Sequence, residues 1–154
     1  MGVRMKVSDW WCRQRHPQLQ ASFAITSHLT ARERVELCTL AAQPGVQSIV
    51  EIGAYLGASA AAFGTGLAQA GNQAARVYCV DTWNNDAMSE GQRDTMKVFL
   101  DNTARFAPAI VPVRGWSTDV APAIAKQAGS IDLLFIDGDH SYDGCLADWH
   151  AYKG

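Results

Sequence analysis

Short apolar runs alternate with amphipathic stretches along this chain. Gln47–Ile52 is an apolar run that ends in Gly53 and reads as a strand. Arg76–Val80, ending at Asp81, reads the same way. So does Ala109–Arg114, where Pro112 points to a sheet edge because proline cannot donate to a strand ladder. Ile131–Ile136, ending at Asp137, completes the set. Between the strands the period is helical. Thr30 and Glu33 make a capping box ahead of a helix carrying Val35, Leu37, Cys38, Leu40 and Ala41, which stops at Pro44-Gly45. Residues 57–70 are alanine-rich and close at Gly71-Asn72. Residues 89–106 form the next predicted helix, with Ser89 and Gln92 as a second capping box and Met96, Phe99, Leu100 and Phe106 on its apolar face. Helices around 118–128 and over 142–152 follow, Pro122 being tolerable only near a first turn. Residues 1–28 lack periodicity. The expected division is therefore an irregular N-terminal arm over 1–29 and a domain over 30–154. Trp10 and Trp11 are expected to pack on the domain surface, a lid or oligomer contact being the alternative.

Strand and helix alternate four times, which predicts right-handed βαβ units and a parallel α/β sheet with helices on both faces. In such sheets ligands sit outside the carboxyl ends of the strands. Polar and glycine residues gather at those ends, at 51–57, 81–83, 115–117 and 137–140.

Composition narrows the function classes. The 154 residues are 48% hydrophobic and 18% charged, which excludes a disordered chain. A net charge of −2 argues against nucleic-acid or membrane-surface binding, which needs a basic excess. Cys12, Cys38, Cys79 and Cys145 form no C-x-x-C pair, so neither zinc nor a redox dithiol is expected. No apolar run approaches the ~20 residues of a membrane span, and the N-terminal stretch lacks the apolar core of a signal peptide. A cytoplasmic domain is the expectation.

Gly53 permits a sharp turn after the first strand. Gly57 lets a ligand or helix backbone approach closely, and the free amides of the helix start favour an anionic group. Asp81 lies 24 residues after Gly57, where a carboxylate can accept bonds from both ribose hydroxyls. A dinucleotide fingerprint aligned on Gly53 would need glycine at position 55. Tyr55 stands there and blocks the approach of a pyrophosphate, which counts against a nicotinamide-dependent oxidoreductase. Glu51 would repel a diphosphate but suits a cationic ligand such as a sulfonium with its α-amino group.

The string from Glu51-Ile52-Gly53 to Gly57-Ala58-Ser59-Ala60 resembles the first motif of class I S-adenosylmethionine-dependent methyltransferases. Leu134-Phe135-Ile136-Asp137-Gly138-Asp139-His140-Ser141-Tyr142 is similar to the fourth-strand signature of a small-molecule branch, which includes the macrolide-sugar and cephalosporin-pathway O-methyltransferases. The resemblance runs from about Thr30 to the last residue and implies the sheet order 3-2-1-4. It implies that Glu51, Gly53, Ala54, Tyr55, Gly57 and Ser59 hold the amino-acid end of S-adenosyl-L-methionine and that Asp81 binds its ribose. Thr82 and Trp83 would border the adenine, and Gly115, Trp116 and Ser117 would close that pocket. Asp137 would lie beneath the methyl group. In metal-dependent members the equivalent aspartate ligates Mg²⁺ and the histidine three residues on is the general base, here His140. Asp139 is read as bracing the turn. His16, His28 and His150 are read as structural or exposed, and Trp116 and Trp149 as packing residues more than substrate contacts.

The family sheet has seven strands and this chain supplies four. The resemblance therefore implies that the fifth strand, with its acidic metal ligands, is absent. Either the sequence is a fragment, the simpler explanation, or the open edge is covered by another chain; a homo-oligomer is also expected. The implied activity is methylation of a hydroxyl on a small molecule. The rival reading is a non-catalytic nucleoside-binding or oligomerisation module on the same half-fold.

Overall fold

Four strands, β1 (Ser48–Ile52), β2 (Arg76–Asp81), β3 (Ile110–Arg114) and β4 (Leu133–Ile136), pair in parallel in the order β3-β2-β1-β4. This is the predicted order. The computed structural model describes residues 7–85 and 91–153. Pro112 lies in β3 at one edge of the sheet, opposite Cys79. At the other edge, β4 pairs only with β1 among the described residues.

The helices are α1 (Val7–Arg15), α2 (Gln20–Ala24), α3 (Ala31–Ala41), α4 (Ala58–Gln69), α5 (Met96–Thr103), α6 (Ser117–Ala128) and α7 (Tyr142–Tyr152). Alternation along each central strand divides the interior in two. Ile49, Val77 and Cys79 face a cluster that includes Leu19, Phe23, Leu37, Phe63 and Phe99. Val50, Ile52, Tyr78 and Val80 face Ala121, Ile124 and Tyr152. The central strands are thus covered on both sides, which is why they read as unbroken apolar runs. No helix among the described residues is long and apolar enough to cross a membrane.

Helix ends match their sequence signals where the signal is local. Thr30 Oγ1 accepts from the Glu33 amide at 3.3 Å, and the Glu33 carboxylate accepts from the Thr30 amide at 2.7 Å. At the end of α4 the Asn72 amide reaches Leu67 O and the Gly71 amide reaches Ala68 O, with Gly71 at φ +67°. That is a Schellman close, and it uses glycine's left-handed freedom.

Three expectations need correction. The N-terminal stretch is not irregular: α1, a 3₁₀ turn over Pro17–Leu19 and α2 occupy it, and Leu19, Phe23 and Ile25 are buried. It is part of the core, not an arm, although Trp10 and Trp11 stay half-exposed against each other. The helix expected from residue 89 starts at Met96. Ser89 lies outside the described residues, and residues 91–95 are not helical. Asp94 Oδ1 instead accepts the Met96 amide at 2.9 Å, a local bond that competes with helix propagation. Pro122 sits in the second turn of α6, not the first.

Candidate functional site

The loops after the four strands enclose a cavity of about 710 Å³. Its wall includes Gly53, Ala54, Tyr55, Ser59, Asp81, Thr82, Gly115, Trp116, Ser117 and Asp137. With His140, eleven of the residues predicted from strand ends far apart in sequence therefore meet around one hollow.

Glycine at position 53 is a packing requirement. It holds φ +89°, and a Cβ there would fall 2.3 Å from the Asp137 backbone oxygen. The turn after β1 thus lies directly against the turn after β4. Gly57, at φ +91°, caps α4 without a side-chain bond. Its missing Cβ makes room for Thr103 and Phe99 of α5, so the close approach it permits is by a neighbouring helix, not by a ligand.

Asp81 ties two loops together. Its Oδ2 accepts the Tyr55 amide at 2.8 Å and its Oδ1 accepts the Trp83 amide at 2.7 Å. A carboxylate oxygen has more than one acceptor site, so both oxygens can still take a hydroxyl from the cavity. Trp83 does not border the cavity. At φ +52° its ring turns into the core, fully buried, 4.9 Å from the Phe99 ring. Its indole Nε1 donates to Tyr55 O at 2.9 Å. The expected stacking face is therefore a core residue that holds the Tyr55 backbone in place.

Glu51 also departs from expectation. It is completely buried below the cavity, and Ser59 Oγ donates to its Oε1. The Cys79 thiol lies beside it, and among the described residues no donor stands within hydrogen-bond distance of Glu51 Oε2. Burial pushes its carboxyl up to about 7, opposed by Ser59 and Cys79 and helped by Asp137 and Asp81. Ser59 lines the cavity and Glu51 does not, so the Ser59 hydroxyl stands between that carboxyl and the hollow.

At the β4 end, His140 Nε2 stands 3.9 Å from Asp137 Oδ1. That is an ion-pair distance, too long for a hydrogen bond. Burial raises the Asp137 carboxyl while His140 and His28 draw it back down. Asp139 braces the turn, as expected, through the Ser141 amide at 2.8 Å and the Ser141 hydroxyl at 3.0 Å. Ser117 Oγ donates to the buried Asp148. Trp116 is 62% exposed and Trp149 is 50% exposed, so neither is the packing residue its type suggests.

The family described as "Methyltransferase domain" matches residues 50–153. The chain belongs to that family. The chain also superposes on two solved structures, which share its fold. One is the cofactor-bound Rv0187 from MTB, with TM-score 0.67 and 22% identity, covering 99% of this chain and 69% of that one. The other is the SAH-bound Podospora anserina methyltransferase PaMTH1, with TM-score 0.63 and 13% identity, covering 99% of this chain and 67% of that one. No curated protein matches at a significant level.

The methyltransferase domain's residues fit a nucleoside cofactor. The cavity is of ligand size, Asp81 lines it, and the uncapped start of α4 leaves backbone amides for an anionic group. Among the described residues no group of three His, Cys, Asp or Glu is placed to hold a metal ion, so nothing there supports magnesium at Asp137.

Sequence reasoning missed one wall of this cavity. Thr26, Ser27, His28, Leu29 and Glu33 face the cavity from the N-terminal side. Buried Arg34 fixes that segment: its guanidinium donates to Leu29 O at 3.1 Å, to Ile25 O at 3.1 Å and to Ser22 O. Burial, with Arg13 nearby, lowers this guanidinium to about 10. A buried arginine in an amphipathic helix was the available signal. His28 had none, because its neighbour Asp137 is 109 residues away in sequence.

Proposed function

We propose that this domain transfers a methyl group from S-adenosyl-L-methionine to a hydroxyl of a small-molecule acceptor. The observation that carries the reading is the joint placement of Asp81 and the His140–Asp137 pair around one cavity. Asp81 receives the ribose hydroxyls. Gly53, Ala54, Tyr55 and Ser59 line the amino-acid end, and Thr82, Gly115, Trp116 and Ser117 line the base end. The cofactor supplies an electrophilic methyl group.

An alcohol attacks poorly until its proton leaves, and imidazole is the side chain that exchanges a proton near neutral pH. His140 takes the acceptor's proton on a ring nitrogen, and the Asp137 carboxylate stabilises the imidazolium that results. His28, near enough to influence the Asp137 carboxyl, adds to the acceptor side. The edge of β4, which pairs only with β1 among the described residues, supports pairing with a strand of a second copy. Incubation with methyl-labelled S-adenosylmethionine and a panel of hydroxylated acceptors tests the reading. Label should enter an ether, and His140→Ala should slow its entry about 10²- to 10⁴-fold; label only on nitrogen or carbon would replace O-methylation with another transfer.

A further inference from the structure

Asp148 is only 4% exposed, yet it belongs to the cavity wall. Gly144, Ala147 and Asp148 are the α7 residues that line the hollow, and their spacing of three and four puts them on one face of the helix. Gly144 and Ala147 carry no polar side chain, so Asp148 supplies the chemistry of that face. Its Oδ1 accepts the Ser117 hydroxyl. Its Oδ2 takes no hydrogen bond and no ion pair from the described residues, and it is not sealed from solvent as Glu51 Oε2 is. Tyr152 does not claim it, because the Tyr152 hydroxyl donates to Ser117 O at 2.7 Å. The wall therefore holds a carboxylate with one oxygen engaged and one open, on a side chain otherwise withdrawn from water. Such an acceptor is costly to leave unmet.

The position says which donor. The Gly115 amide donates to Asp81 O at 3.0 Å, so the loop that carries Ser117 starts beside the ribose carboxylate. α6 and α7 cover the sheet face of Val50, Ile52, Tyr78 and Val80, whereas α4, which carries Ser59, covers the other. The cavity wall draws on both sides. A ligand with its ribose at Asp81 and its amino-acid end along residues 53–59 has its base on the α6–α7 side, where Ser117 and Asp148 stand. The base of an adenosyl group has one hydrogen-bond donor, its exocyclic amino group.

We propose that Asp148 Oδ2 accepts that amino group and so selects an aminopurine nucleoside over purines lacking it. The inference rests on reading the cavity as an S-adenosylmethionine site, and it names a residue outside both sequence motifs. A site built to accept a donor rejects the analogue without it, since its polar atom is then left unpaired.

The test is calorimetric titration of the whole chain with S-adenosylhomocysteine and with its 6-desamino purine analogue. The wild-type protein should bind the adenosyl ligand about tenfold more tightly or better. Asp148→Ala should bind both ligands alike. So should Asp148→Leu, which keeps the branched outline without an acceptor and is the better helix former. Ser117→Ala, which leaves both Asp148 oxygens in place, should retain the preference. Equal weakening of both ligands in the Asp148 variants, with the preference intact, would show a merely structural residue and overturn the proposal. A wild-type protein that binds the adenosyl ligand but is indifferent to the amino group would overturn this inference alone. Binding of neither ligand by folded wild-type protein would overturn the cofactor reading and this inference with it.

Discussion

Asp81 Oδ2 accepts the backbone amide of Tyr55 at 2.8 Å, so the carboxylate at the end of β2 shapes the turn that follows β1. Its other oxygen holds the Trp83 amide at 2.7 Å. The residue expected to bind ribose is also the clasp between two loops of the site. Asp81→Asn keeps the size but replaces one acceptor with a donor that faces an amide N–H. Affinity for S-adenosylhomocysteine should fall about 10- to 100-fold, the range for losing a bond to a charged acceptor. Calorimetry checks it, and an unchanged affinity would remove Asp81 from the site.

Glu51 predicts a pH dependence of stability. Its carboxyl is raised from 4.5 to about 7 by burial, so the folded state holds the proton more tightly than the unfolded chain. Stability from this group is intact below about 4.5 and declines as pH rises toward about 7. The shift corresponds to roughly 3 kcal/mol, an order-of-magnitude figure. Glu51→Gln should flatten that decline in denaturant titrations across the same window. A wild-type protein that gains stability over this range would contradict the assignment.

Two glycines with nearly the same backbone angle separate strain from packing. Gly53 and Gly45 hold φ +89° and +88°, but a Cβ at 53 meets the Asp137 backbone whereas one at 45 meets nothing within 4 Å. Gly45→Ala should cost about 1 kcal/mol, the left-handed penalty alone. Gly53→Ala should cost several-fold more and also weaken cofactor binding, because the turns after β1 and β4 must separate. Comparison of the two melting curves decides it.

His140 and Arg34 should divide chemistry from architecture. His140→Ala should lower the methyl-transfer rate by about 10²- to 10⁴-fold while leaving S-adenosylhomocysteine affinity unchanged. His140 is 80% exposed at its side chain, so the fold should not suffer. Arg34→Met should instead destabilise the protein, since three backbone carbonyls lose their buried donor. Paired rate and unfolding measurements on both variants check this.

The sheet was legible because its information is local. Each strand is a short apolar run with a turn signal after it, and parallel pairing follows from the helices between them. Strand-end residues were legible for the same reason, since topology alone brings Gly53, Asp81 and Asp137 to one rim. Side-chain direction was not. Trp83 follows the ribose carboxylate closely, and only its positive φ reveals that it faces the core. α1 buries none of its residues and α2 has five, too few for a period to show. Ser89 and Gln92 made a plausible cap, but Asp94 bonds the Met96 amide and sets the start of α5. His28 lines the cavity near Asp137, a long-range neighbour that no window along the chain contains.

The central claim is that the rim of this sheet holds an adenosyl cofactor, and a crystal structure of the protein with S-adenosylhomocysteine tests it most directly. The ligand should lie in the cavity with its ribose hydroxyls on Asp81 and its amino-acid end along residues 53–59. Density for the ligand anywhere else, or an empty cavity in crystals soaked to saturation, would contradict it.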